Sequence, residues 1–140
     1  YLLANRELRG RVLFVGNTTL DLLHDFGPRL PPAHAGRYVF VTLHRRELTE
    51  DAALLRGVLA APEQVAPWFD AVLLPLHPRT RAAIARAAYR PGRVTLMAPL
   101  PFLSALALER GAALIVTDSG CELISRGVPV DPDEIEALMR

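Results

Sequence analysis

Two histidines, three arginines and a Ser-Gly pair in this chain have the types and spacing to hold an anion. His44-Arg45-Arg46-Glu47, His77-Pro78-Arg79-Thr80 and Thr117-Asp118-Ser119-Gly120 each follow a short apolar run. Arginine forks match phosphate oxygens in pairs, and backbone N–H groups at a helix start favour a phosphate. Gly16-Asn17-Thr18 and Pro99-Leu100-Pro101-Phe102 hold the equivalent position after two further runs. Each piece also has a plain structural reading. Arg45 and Arg46 can pair with Glu47 or Glu50 on a solvated face, and His44 can end a strand. His77 can set a turn before Pro78, and Ser119-Gly120 can be an ordinary helix cap. Their common placement after apolar runs favours one shared anion site.

Other chemistry is excluded or weak. The sixteen basic residues are all arginine, which rules out a Walker A phosphate loop, a Schiff-base lysine and a lysine general base. One cysteine, Cys121, excludes an internal disulfide framework and a cysteine-based zinc site. It reads as a small packed side chain, or as a thiol with lowered pKa at a helix start. Histidines 24, 34, 44 and 77 are too dispersed for a metal motif, and no metal or cofactor is expected. Neither Gly-x-Gly-x-x-Gly nor Gly-x-Ser-x-Gly occurs. A net charge of +1 sets up no global field for nucleic acid or an anionic membrane. The apolar stretch from Val94 to Leu108 is fifteen residues long and is broken by Pro99 and Pro101, too short for a membrane span. Tyr1 to Glu7 lacks a signal-peptide layout, so the expected setting is cytoplasmic and Asn17-Thr18-Thr19 is an accidental sequon.

The elements that must position these residues follow from hydrophobic patterning. A chain of 140 residues with 51% hydrophobic and 22% charged residues is long and apolar enough for one domain with a real core, taken here as residues 1–140. Five nearly continuous apolar runs read as strands buried on both faces: Val12–Val15, Tyr38–Thr42, Ala71–Leu74, Val94–Met97 and Ala113–Val116. Helical stretches between them run Thr18–Phe26, Asp51–Gln64, Thr80–Tyr89 and Phe102–Arg110, with a last helix expected from about Pro132 to Met139. Phe26 to Arg37, rich in Pro and Gly, is the longest expected loop. Alternating strand and helix predicts an α/β fold with three layers, a Rossmann-like parallel sheet with right-handed crossovers. Ligands of such sheets bind beyond the carboxyl ends of the strands, where the polar residues above gather.

The same residues resemble the non-hydrolysing UDP-N-acetylglucosamine 2-epimerases. The matching pieces run in the family's order: Val15-Gly16-Asn17-Thr18 with Asp21, Val41-Thr42-Leu43-His44-Arg45-Arg46-Glu47, Pro75-Leu76-His77-Pro78, Pro99-Leu100-Pro101-Phe102 and Thr117-Asp118-Ser119-Gly120. The resemblance implies an isomerase of two Rossmann-like domains in the GT-B arrangement, with substrate in the cleft between them. This chain resembles the carboxyl-terminal, nucleotide-holding half, and Tyr1 to Gly10 the tail of a connection from a first domain. The implied mechanism uses no metal or redox cofactor. UDP is eliminated across C1 and C2 of the sugar, and adds back with the opposite C2 configuration. The implied setting is cell-surface polysaccharide biosynthesis. UDP-N-acetylglucosamine or UDP would be the small-molecule partner, with a separate first domain or a second copy as protein partner.

Carried over by position, His44 is the implied catalytic residue, donating a proton to departing UDP or stabilising it electrostatically. Arg45, Phe102, Ser119, Gly120 and Glu122 are the implied UDP-binding residues, with Asn17, Arg46, Glu47, His77 and Asp118 in support. The chain departs from the family's pattern after Gly120 and again beyond Val130, as if short stretches near 121–125 and 130–131 were deleted. Counting back from Gly127 puts Glu122 on the family's ribose-binding Glu; counting forward from Gly120 puts Ser125 there. The family's catalytic carboxylates belong to the first domain. Two alternatives to an epimerase half stand beside this reading: a non-catalytic UDP-sugar-binding remnant, and a fragment of a GT-B glycosyltransferase.

Overall fold

A computed structural model of the chain describes residue 13 and residues 18–119. The expected strand Val12–Val15, apart from Leu13, lies outside the described residues. So do the connection 1–10, Asn17, and everything from Gly120 on, including Glu122, both shortened stretches and the expected last helix.

Within the described residues the order is α1 (Thr18–Phe26), β1 (Tyr38–Thr42), α2 (Arg46–Glu50), α3 (Ala52–Val65), β2 (Ala71–Pro75), α4 (Pro78–Arg86), β3 (Val94–Met97), α5 (Phe102–Gly111) and β4 (Leu114–Thr117). The four strands form one sheet in the order β3-β2-β1-β4, and every pairing is parallel. The chain steps outward from β1 to β2 to β3, then crosses back to add β4 on the far side of β1.

Strand alternation divides the core into two faces. Val39, Val41, Leu43, Val72, Leu74, Leu76 and Val94 pack on one side with Leu55 and Leu59 of α3 and Ala83 and Ile84 of α4. Tyr38, Phe40 and Leu73 pack on the other with Ala112, and Leu108 of α5 lies against them. Right-handed crossovers require this division, because the step back to β4 runs opposite to the earlier ones. The expected three layers are therefore present.

Several boundaries differ from the sequence expectation for local reasons. Helix α4 starts at Pro78, whose ring presets the helical φ, and His77 caps it by accepting the Arg79 N–H on Nδ1 at 3.3 Å. The same helix stops at Arg86, short of Tyr89, because Ala88 takes a left-handed φ of 49°. The Tyr89 N–H then reaches back to the Ile84 carbonyl at 3.3 Å, closing the helix end. Helix α3 begins one residue after Asp51, whose carboxylate accepts the N–H groups of Ala53 and Leu54. The short helix α2 was not expected; its five residues lie in what reads as a polar loop.

One carboxylate ties the lower part of the fold together. Glu63 on α3 accepts the Tyr89 hydroxyl at 2.6 Å and the backbone N–H groups of Gly92 and Arg93 at 2.7 Å each. Burial, the largest single influence, pushes the Glu63 carboxyl up. The hydrogen bonds from Tyr89, Arg93, Gly92 and Val94 together outweigh it and hold the group below its usual range. Burial and the facing carboxylate in turn raise the Tyr89 hydroxyl. A carboxyl whose folded pKa is depressed stabilises the fold above its unfolded value, about 4.3, and that stability is lost as pH falls through the folded value. Glu63→Gln is accordingly expected to lower unfolding free energy by about 1.5–3 kcal/mol at pH 7. Urea denaturation at pH 7 and again at about pH 3 should show the gap between variant and wild type narrowing in acid.

Candidate functional site

The strand order places a switch point between the carboxyl ends of β1 and β4, where the chain's direction of travel across the sheet reverses. Such a switch point is where open parallel sheets leave room for a ligand, because the loops on its two sides turn to opposite faces. His44 and Arg45 leave β1 at this point, and Asp118 and Ser119 leave β4 beside them.

Asp118 joins the two loops. Its Oδ2 accepts the His44 N–H at 2.9 Å and the Arg45 N–H at 2.7 Å, across 74 and 73 residues of sequence. Arg45 occupies the cap position of α2 in extended backbone and supplies no side-chain cap of its own. The carboxylate of a distant strand thus satisfies amides just ahead of that helix. The other oxygen, Oδ1, is buried and lies 3.4 Å from His44 Nδ1. The side chain of Asp118 is 13% exposed and that of His44 is 44% exposed, so the imidazole spans from the carboxylate to solvent.

A second anchor comes from the start of α4. Thr80 is fully buried, and its hydroxyl donates to the Leu43 carbonyl. Arg79 Nη1 donates to the His44 carbonyl at 3.5 Å. The backbone at 43–45 is therefore held from β4 on one side and from α4 on the other. Past β4, the Ser119 N–H donates to Thr117 Oγ1 at 3.0 Å, which bends the chain sharply after the strand.

The structure brings together His44, Arg45 and Asp118 among the residues singled out in the sequence, and Ser119 follows Asp118 in the chain. It gives others local roles. Arg46 pairs with Glu50 at 2.7 Å on an exposed surface, and that hydrogen bond raises its pKa further. None of the described acids pairs with the Arg45 guanidinium. Glu47 lies exposed in the first turn of α2, and His77 is the cap of α4. Phe102 begins α5, 56% exposed, with its ring edge-on to Phe26 at 6.5 Å. It stands outside the hydrogen-bonded network around His44. Arg79, one of the three arginines of the expected anion site, and Thr80 belong to that network, but as anchors of the backbone at 43 and 44, a role the sequence reading did not assign them. The available signal was their place just after Pro78, at a helix start on the same sheet edge. Among the described residues, no three His, Cys, Asp or Glu side chains gather as a metal site would require, and no helix is long and apolar enough to cross a membrane.

Comparison with known proteins decides the family. The profile described as UDP-N-acetylglucosamine 2-epimerase matches residues 1–130. The chain belongs to the UDP-N-acetylglucosamine 2-epimerase family. A UDP-2,3-diacetamido-2,3-dideoxy-D-glucuronate 2-epimerase from Pseudomonas aeruginosa is 35% identical over 83 residues, which make up 59% of this chain and 23% of that protein. A UDP-N-acetylglucosamine 2-epimerase from Methanococcus maripaludis is 28% identical over 90 residues, 60% of this chain and 25% of that one. The solved UDP-N-acetylglucosamine 2-epimerase from Methanocaldococcus jannaschii, in complex with UDP-N-acetylglucosamine and UDP, superposes with a TM-score of 0.61 at 25% identity. That match covers 84% of this chain and 37% of the other. The chain thus spans about a quarter of the length of the curated relatives it matches, and the α/β architecture is that of the epimerase fold.

The anchoring of His44 generates a test independent of ligand. Thr80→Val removes the hydroxyl at nearly constant shape and leaves the Leu43 carbonyl without its donor, a change expected to cost about 1–3 kcal/mol in urea denaturation. The backbone amide resonances of His44 and Arg45 should shift with it, while Thr80→Ser should keep both stability and resonances close to wild type.

Proposed function

We propose that this chain is the nucleotide-holding half of an epimerase acting at C2 of a UDP-activated 2-acetamido sugar. One observation carries the reading: in a chain of this family, Asp118 after β4 binds the backbone N–H groups of His44 and Arg45 after β1, which joins the two loops at the switch point. The relatives support the substrate class, since they share a UDP group and a C2 epimerisation while differing in the sugar. Cytoplasmic work in cell-surface polysaccharide synthesis belongs to the same reading.

In this reading the diphosphate lies at Ser119-Gly120, with the half-exposed His44 ring beside it and the Arg45 guanidinium as its cation. Phe102 and Glu122 contact the uridine, with Asn17 in support. Elimination of UDP builds charge on the departing diphosphate. His44 stabilises that charge or donates a proton to it, which is worth a few kcal/mol where the group is held in place beforehand, about the effect of one oxyanion donor. Proton removal at C2 needs a base within hydrogen-bond reach. By the resemblance, that base is a carboxylate of the family's other domain, and a partner chain or a further segment would supply it.

Two measurements test the reading. Titration with UDP should show saturable binding, of order 0.1–1 mM, a weakened form of a micromolar site. Ser119→Ala should weaken it, as the loss of a charged hydrogen bond costs about 1.5–3 kcal/mol. Absence of a saturable signal at several millimolar UDP, or unchanged binding by Ser119→Ala, would remove the phosphate-site assignment. The second measurement concerns turnover. The 140-residue chain alone, incubated with UDP-N-acetylglucosamine, should form no UDP-N-acetylmannosamine, and product formation would show that it holds its own C2 base.

A further inference from the structure

Asp118 carries more than a structural load. Its two oxygens have separate tasks: Oδ2 takes two backbone N–H groups, while Oδ1 is buried and has no aligned hydrogen-bond partner among the described residues. A buried carboxylate oxygen normally has a donor, and its absence calls for an explanation. The nearby ring nitrogen is His44 Nδ1, at 3.4 Å. The His44 N–H is bound to the same carboxylate, so backbone and ring of one residue face one acid.

From this juxtaposition we infer that Asp118 is a positioning residue that fixes the tautomer of His44. A carboxylate accepts only, so a nitrogen facing it must carry the proton. His44 then holds its proton on Nδ1, toward Oδ1, and presents Nε2 on the 44%-exposed side of the ring. Nε2 becomes the atom that meets a ligand: it accepts a proton when free and donates one to a phosphate oxygen once protonated. Without the carboxylate, the ring is free to place its proton on either nitrogen, and the exposed atom loses its defined role. Asp118 acts through His44. The backbone anchoring by Oδ2 keeps the ring in line, since both amides it binds belong to the residues that carry the imidazole and the neighbouring guanidinium.

The assignment of Nε2 to a phosphate rests on the proposed UDP site, whereas the tautomer does not. Long-range proton–nitrogen correlation of uniformly labelled protein reports the state of all four imidazoles, and loss of one set of signals in His44→Gln assigns the resonance of interest. The expected wild-type result is a protonated Nδ1 and an unprotonated Nε2 for the neutral ring. In Asp118→Asn, the amide oxygen can keep the backbone N–H groups while its NH2 turns to the ring, which should move the proton to Nε2. A merely structural carboxylate would change stability and leave the tautomer as it was. Finding the Nε2-protonated form in the wild type overturns the inference whether or not the variant folds, as does a tautomer unchanged in a folded Asp118→Asn. Adding UDP separates the two proposals. If the Nδ1 tautomer is present but UDP leaves the Nε2 resonance unmoved, the UDP reading fails at this residue and the Asp118–His44 unit stands.

Discussion

The pairing of β1 with β4 is the constraint on which the rest of the site depends. Its register, from Val39 opposite Leu114 to Thr42 opposite Thr117, brings the two strand ends level, so that the residues just beyond them meet. A shift by one position would turn Asp118 to the other face of the sheet, because side chains alternate along a strand. The Asp118 N–H continues the ladder to the Thr42 carbonyl at 3.4 Å, and the side chain then closes over the next two amides. Backbone and carboxylate therefore define one local structure from both directions.

Around that seam the fold supplies rigidity from separate sources. The helices α3 and α4 bury the face that carries Val41 and Leu43, which seats the strand end immediately before His44. On the opposite face, Tyr38 is 1% exposed and donates its hydroxyl to the Leu108 carbonyl at 2.7 Å, locking the start of β1 to α5. Gly111 passes so close that a Cβ there would come within 2.6 Å of that hydroxyl oxygen, so the absence of a side chain lets α5 end against the strand. Gly36, at a φ of 81°, makes the turn into β1 where Asp70 accepts the Arg37 N–H at 2.7 Å. Both ends of β1 are thus fastened to other elements by hydrogen bonds, and its middle by apolar packing.

Charge is distributed unevenly over the candidate site. Arg46 has its partner one helical turn away in Glu50, and Arg79 is turned toward the His44 carbonyl. The Arg45 guanidinium has no acidic partner among the described residues, although its backbone N–H is firmly held. An exposed cation fixed at its base and unpaired at its tip can turn to an incoming anion with little cost in broken contacts.

The sequence by itself determined the fold class. Apolar runs of four or five residues alternating with helical stretches have few packings other than a parallel sheet covered on both faces. Four of the five expected strands appear close to their expected spans; the other lies outside the described residues apart from Leu13, which is exposed and in no strand. Composition also narrowed the chemistry, since an absent lysine and a single cysteine are facts of the chain before any folding. Motif order pointed to the family without needing the sheet. What patterning could not give was the strand order, because every strand reads as buried on both faces and none announces its neighbour. That order decided which loops meet: it set Asp118 on the amides of His44 and Arg45, and brought Arg79 and Thr80 in from α4. Arg46 and His77 instead took partners within their own segments, Glu50 and the Arg79 N–H. Contacts across more than seventy residues depend on register and crossover, and these exist only once the strands have paired.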